Sequence, residues 1–215
     1  MRSLIFLFFL LSLQGAFAAG NAPSADGNAE KVSVLGPEHV ALVINDADTN
    51  SVQIGEYYRL ARNIPAKNIV HVNIPKAKAK LSLSEFTRLK WEIDSQLHTE
   101  EQVILLAWTA PYAVECNSIT SALTFGYDAE QCKNTCAPGK ANPYFNSNAK
   151  RPYAELGMRP VMLLPTDSIA RAKAVIDRGV QSDAGVFRAT AYYLTTSEQA
   201  RNSRAMYFPP TGLNI

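Results

Sequence analysis

The stretch VILLAW, residues Val103–Trp108, carries the strongest strand pattern in this chain of 215 residues. A short continuous apolar run is typical of a strand that is buried on both faces of a parallel sheet. We therefore place it at the centre of a sheet. Four other segments carry short strand patterns: Val40–Ile44, Ile69–Ile74, Val161–Leu164 and Ala189–Leu194.

Helical patterns alternate with these strands. The segment Ile54–Ala61 has apolar side chains at i, i+3, i+4 and i+7, and Ser82–Glu85 is a capping box ahead of a second helix. Asp167 can cap a third helix, and Thr195–Glu198 is a second capping box. Alternating strands and helices pair in parallel through right-handed crossovers. The sequence thus predicts an open, mainly parallel α/β sheet with helices on both faces.

The first eighteen residues have the pattern of an export signal. A positive start at Arg2 precedes the apolar run Leu4–Leu13, and Ala16-Phe17-Ala18 is a small-x-small cleavage site. The run is shorter than the roughly 20 residues that a bilayer-spanning helix needs. We predict cleavage after Ala18, delivery to the periplasm or the cell exterior, and no membrane insertion of the mature chain.

The rest of the chain is predicted to hold a flexible lead-in over residues 19–33 and a single α/β domain over 34–215. The proline-broken stretch 207–215 follows a capped helix without a further strand. We therefore expect a domain that is incomplete at this end. The net charge of +2 falls to +1 without Arg2, which argues against nucleic-acid binding. No cofactor is predicted, and the sequence identifies no partner.

Three cysteines, Cys116, Cys132 and Cys136, lie in one stretch. In an oxidising compartment an odd number predicts one local disulfide and one remaining thiol. The sequence leaves the pairing open. A zinc site is the weaker interpretation because no histidine lies near them in sequence, and we predict no metal centre.

In open α/β sheets, ligands bind beyond the carboxyl ends of the strands. This rule defines a candidate strand-end crevice from three parts of the chain. Its residues are Asn45, Asp46, Asp48, Ser51, Tyr112, Glu115, Cys116, Ser118, Thr196 and Arg201.

Structural roles compete with functional ones at most of these positions. The turn Asn45–Ser51 begins like a calcium loop but lacks the required glycine and glutamate, so helix capping is the better interpretation. Lys76, Lys78 and Lys80 are interpreted as a solvated loop, and Thr195–Ser197 as helix caps.

A nucleophile built from Cys116, Ser118 or Ser121 needs a positioned base, and no histidine follows His98. His39 precedes the first strand, and we interpret His71 as a mid-strand residue. Because neither position predicts a base beside these groups, a structural role for Cys116 is favoured.

Five motifs together resemble a family of exported bacterial proteins of unknown function. They are Asn45-Asp46-x-Asp48-x-x-Ser51; Pro111-Tyr112 with Glu115-Cys116-x-Ser118; Arg159-Pro160-x-Met162; Ile176-Asp177-Arg178-Gly179-Val180; and Thr195-Thr196-Ser197 with Arg201. Members of the family continue past the point where this chain stops. There they carry a histidine in an Ala-Asp-His setting and a cysteine in a Glu-Pro-Cys setting.

This arrangement is similar to the His/Cys dyad of caspase- and gingipain-type peptidases, whose fold is also a parallel three-layer α/β sheet. The resemblance implies that the chain is the N-terminal portion of a cysteine-peptidase-like hydrolase without its catalytic dyad. It assigns no catalytic residue here, since both motifs are missing from the sequence. The alternative is a non-enzymatic exported protein that binds a ligand or a partner at the strand-end crevice.

Overall fold

The computed structural model describes residues 35–75, 78–133, 139–183, 185 and 191–208 of the chain. Its strands and helices alternate along the sequence. In chain order they are β1 (Val40–Asn45), α1 (Thr49–Ala61), β2 (Ile69–Val72), β3 (Lys80–Leu81), α2 (Leu83–Asp94), β4 (Val103–Leu106), β5 (Ala113–Val114), β6 (Asn117–Ser118), α3 (Ile119–Phe125), α4 (Glu130–Lys133), α5 (Pro152–Leu156), β7 (Val161–Leu163) and α6 (Ile169–Ser182). Short 3-10 turns span Pro37–His39, Ala66–Asn68 and Arg201–Tyr207.

The main sheet has four parallel strands in the order β2-β1-β4-β7. Leu42 of β1 pairs with Ile69 on one side and with Leu105 on the other. Leu105 in turn pairs with Met162 of β7. The VILLAW stretch therefore supplies an inner strand, and the predicted open, mainly parallel α/β sheet is confirmed.

Helices cover both faces of this sheet, which explains why its inner strands are continuously apolar. Ala41 and Val43 face one core, formed with α2 and α3. Leu42 and Ile44 face the other core, formed with α1 and α6. Helix α1 lies so close to the sheet that a Cβ on Gly55 would come within 2.6 Å of the Ile44 side chain.

A second, three-stranded sheet is formed by β3, β5 and β6, segments for which the sequence predicted no strand. Strand β3 pairs in parallel with β5, and β5 pairs antiparallel with β6. Each of these strands is only two residues long. Pairs this short leave no alternating pattern that could be read from sequence.

The prediction of a strand at Ala189–Leu194 is wrong for the part of this segment that the structure describes. Residues 191–194 form no strand, and residues 189–190 lie outside the described residues. Because α6 packs on the α1 face, a parallel strand placed beyond β7 would need a left-handed crossover, which proteins avoid. The handedness of the fold thus overrides the local apolar pattern.

Helix starts were predicted with mixed success. Ser82 and Glu85 form the expected capping box of α2. Helix α6 is capped by Ser168 and not by Asp167, because the Ser168 hydroxyl accepts the amide of Arg171. At the last predicted box the hydroxyl of Thr196, and not that of Thr195, accepts the Glu198 amide.

The outer edge of β2 is closed by a side chain. The Gln96 carboxamide accepts from the amide of His71 at 3.1 Å and donates to its carbonyl at 2.9 Å. This pairing occupies the backbone groups that an edge strand otherwise offers to another chain.

Within the described ranges no helix is long and apolar enough to cross a bilayer.

Candidate functional site

Three loops meet at the carboxyl edge of the main sheet, as the parallel topology requires. The Thr109 hydroxyl, after β4, accepts the amides of Thr166 and Asp167, each at 2.8 Å. Asn50, in the first turn of α1, donates its side-chain amide to the Thr166 carbonyl at 3.0 Å. The loops after β1, β4 and β7 are thereby joined into one crevice wall.

Asn45 holds the carboxyl ends of β1 and β2 together. Its side-chain amide donates to the Ile74 carbonyl at 2.9 Å, and its carbonyl oxygen accepts the Ile74 amide at 2.8 Å. Its own backbone amide donates to the Ser51 hydroxyl at 2.8 Å. Asn45 and Ser51 are buried, so both side chains serve the scaffold.

The two aspartates of this turn have different roles. Asp48 caps α1: its carboxylate accepts the Asn50 amide at 3.1 Å, which confirms the capping interpretation. Asp46 lies beside His71, with Oδ1 at 2.8 Å from Nδ1. Both side chains of this pair are about half exposed, at 49% and 57%.

His71 lies within β2, as predicted, and its pairing with Asp46 is a contact that the sequence did not indicate. His71 pairs in register with Ile44, so Asp46 follows just beyond the same position of the sheet. Only the pairing of β1 with β2 reveals this neighbour, because 25 residues separate the two in sequence. With Nδ1 facing a carboxylate, Nε2 is the nitrogen available to another group.

The segment after β4 is anchored by Trp108. Its indole is fully buried and donates to the Pro111 carbonyl at 2.9 Å. Tyr112 is half exposed, while its backbone bonds to Ala79 and Ile119. Glu115 is exposed with a φ of +48°, the left-handed conformation of a tight turn between β5 and β6.

Cys116 and Cys132 form a disulfide, with their Cα atoms 5.2 Å apart. The local disulfide that the sequence predicted is thus present, and Cys116 has the structural role that was favoured. Cys136 lies outside the described residues. The adjacent Asn117 is buried and bonds to both the amide and the carbonyl of Asp128, which fixes the same loop.

Ser118 caps a helix, whereas Thr196 does not, because the last 3-10 turn has Ala200 at its N-cap and no side-chain cap. The Ser118 hydroxyl accepts the Ser121 amide at the start of α3. Thr196 bonds to Asn202 and Glu198 within its own segment, and no hydrogen bond among the described residues joins it to the crevice wall. Arg201 begins the last 3-10 turn. No hydrogen bond among the described residues therefore supports the predicted grouping of Thr196 with the other crevice residues.

Of the three lysines after β2, Lys76 lies outside the described residues and Lys80 is exposed in β3. Lys78 pairs with Glu85 in the first turn of α2. The Lys78 ammonium, followed by the Ser82 amide and hydroxyl, lowers the pKa of Glu85 to about 2. Lys78 therefore stabilises the start of helix α2.

The described residues contain no cluster of three metal-ligating side chains.

The geometry defines an open, parallel α/β protein of the three-layer class, with its loops braced at the carboxyl edge of the sheet. No family model, curated protein or solved structure matches this chain.

Proposed function

We propose that this chain is the N-terminal portion of an exported hydrolase of the cysteine-peptidase type, and that it supplies the sheet and not the catalytic pair. The observation that carries the proposal is the strand order β2-β1-β4-β7. In this order β2 is added on one side of β1 and the later strands β4 and β7 on the other side, so the order of strands switches between β1 and β4. Doubly wound sheets bind their ligands at such a switch point. The motif resemblance is to exported bacterial proteins of unknown function, whose later His and Cys motifs are similar to the dyad of caspase- and gingipain-type peptidases.

The chemistry of the edge fits a scaffold. Cys116 is held in a disulfide and so has no thiolate to offer as a nucleophile. His71 is oriented by Asp46, yet no thiol or hydroxyl of the described residues is hydrogen-bonded to its ring. The catalytic histidine and cysteine are proposed to come from sequence beyond residue 215. The predicted signal peptide and the disulfide both accord with an exported, oxidising location.

A non-enzymatic binding protein is the second candidate. It is favoured by the engagement of the crevice side chains within the protein: Asn45, Ser51 and Ser118 each accept or donate structural hydrogen bonds. Polar groups that are already bonded have little left to offer a reacting substrate. Under this proposal the crevice wall is a rigid frame, and recognition uses exposed groups such as Tyr112 and Glu115.

The coding sequence beyond codon 215 separates the two candidates. The hydrolase proposal expects an in-frame continuation with a histidine and a cysteine, each after a strand pattern. The longer protein should cleave peptides from a mixed library and lose this activity on alkylation of its thiols. A matched variant, Cys116→Ser with Cys132→Ser, should keep it. A continuation without both residues, or a longer protein that cleaves no peptide, would leave only the binding role.

A further inference from the structure

A cleft of about 470 Å³ opens on the α2–α3 side of the molecule. We call it the amino-edge cleft, because its lining residues include Leu97, His98 and Thr99, which precede β4, and Ile104 near the start of β4. Its lining is mixed: polar and charged groups share it with the apolar side chains of Leu97, Ile104, Leu123 and Met158. The volume lies within the range of roughly 300–1,000 Å³ that is usual for small-molecule sites.

The cleft follows from the lengths of two helices. Helix α2 has 12 residues and α3 has 7, which correspond to lengths of about 18 and 10 Å. Helix α3 ends at Phe125, and the φ of +81° at the C-cap residue Gly126 takes the chain away from the helix axis. The shorter helix leaves space beside the amino end of β4, and the chain around Met158 forms the other wall.

A fixed guanidinium lies at the rim. Arg159 donates from Nε to the Glu101 carbonyl and from Nη2 to the His98 carbonyl, each at 2.8 Å. Its Cζ lies 3.2 Å from the centre of the Tyr153 ring. Because three contacts hold the side chain, little of its rotamer freedom remains to be lost when it binds an anion.

The charges that line the cleft favour an anion. Lys90 and Arg159 are the lining cations and Asp94 is the lining carboxylate, so one positive charge is in excess. Lys90 is 2.6 Å from Asp94, and an ammonium has three donors, so it can bond to a second carboxylate without losing the first.

We propose that the amino-edge cleft binds a small organic acid with an apolar body. The carboxylate lies against Lys90 and Arg159, and the body covers Leu97, Ile104, Leu123 and Met158. This site lies at the opposite end of the strands from the crevice, and it does not depend on the proposed hydrolase function. Apolar burial and a charge-assisted hydrogen bond together select this class over an alcohol, an amine or a short acid.

Four matched probes test the chemistry of the site: 3-phenylpropionate, 3-phenylpropan-1-ol, 3-phenylpropylamine and propionate. Calorimetric titration of the purified protein should show the aromatic acid binding about tenfold more tightly than the alcohol, the expected effect of one hydrogen bond to a charged group. The amine and propionate should bind more weakly still. Equal affinity for acid and alcohol, tightest binding of the amine, or no binding of the acid would overturn the proposal.

Two further measurements locate the site. In methyl NMR spectra, 3-phenylpropionate should shift the signals of Leu123 and Met158. The variant Lys90→Met should weaken binding about tenfold, while the control Lys67→Met, at an exposed position away from the cleft, should leave it unchanged. Shifts confined to other methyl groups, or an equal response of both lysine variants, would contradict the assignment.

Discussion

The two ends of the parallel strands are built in different ways. At the carboxyl edge, Asn45, Ser51, Thr109 and Ser118 bond to backbone groups of the protein itself. At the amino edge, a cleft lined by four apolar side chains and two cationic ones stays open. The polar residues that stand out in the sequence thus brace the sheet, whereas the cleft is lined mainly by residues outside the five motifs, with Arg159 as the exception.

The contrast teaches that a cluster of polar residues at strand ends is ambiguous. Loops at these positions must satisfy the backbone groups that strands and helices leave unpaired. Asn, Asp, Ser and Thr perform this task and also populate active sites. The two ends of the sheet are expected to respond differently to substitution, and four experiments test that difference.

The largest effect is expected at Asn45. Asn45→Ala removes the partners of the Ile74 amide and carbonyl in a buried setting, and each unpaired group costs about 1–3 kcal/mol. We expect a loss of about 4 kcal/mol in the free energy of unfolding, measured by urea denaturation. The control Asn50→Ala, which removes one bond at a partly exposed position, should cost about 1 kcal/mol. Equal losses would mean that Asn45 does not brace the edge.

The disulfide should come next. In a Cys136→Ser background, replacing Cys116 and Cys132 by serine releases a loop with a sequence separation of 16. The expected loss is about 3 kcal/mol, because the unfolded chain regains conformational freedom. The Cys136→Ser protein should lose this stability in reductant, and the triple variant should be insensitive to it. If the triple variant is as stable as the Cys136→Ser protein, the disulfide does not stabilise this edge.

A smaller effect, confined to acid, is expected at Glu85. Its folded-state pKa of about 2 lies below the ordinary value of 4.5, so its stabilising contribution is present above pH 4.5. That contribution is lost as the pH falls from 4.5 towards 2. The urea midpoint of the wild type should therefore fall more between pH 7 and pH 3 than that of Glu85→Gln. Parallel decreases would show that the Lys78–Glu85 pair does not support the start of α2.

The smallest effect is expected at the rim of the amino-edge cleft. Lys90 and Asp94 form an i, i+4 pair, with side chains 39% and 47% exposed. Surface pairs of this kind contribute about 0.5 kcal/mol or less on a helix. Lys90→Met should therefore change the unfolding free energy by no more than about 0.5 kcal/mol while it weakens binding of the organic acid. A large loss of stability would mean that both ends of the sheet are braced.

Prediction from sequence succeeded where a pattern is local and repeated. The apolar runs of β1 and β4 and the Ser82–Glu85 box were found because neighbouring residues supply their periodicity or their bonds. It failed where distant segments decide the outcome. The extended pattern around Tyr192 forms no strand, since α6 has packed on the wrong face for a right-handed crossover beyond β7.

In the candidate site, too, local features could be predicted from sequence and contacts between distant segments could not. The capping role of Asp48 could be predicted from its position before an amphipathic helix. The Asp46–His71 contact could not, because it depends on the register of two parallel strands. The amino-edge cleft was also missed, since Ile104, Leu123 and Met158 are ordinary core residues in sequence.

The sequence by itself determined the class of fold, because strand and helix patterns alternate and parallel pairing is the physical outcome of that alternation. It also determined that a disulfide was to be expected from clustered cysteines. Only the tertiary structure decided which cysteines pair, which polar side chains are already bonded and where space remains. These outcomes depend on helix lengths, on crossover handedness and on the distances between segments that the chain itself keeps far apart.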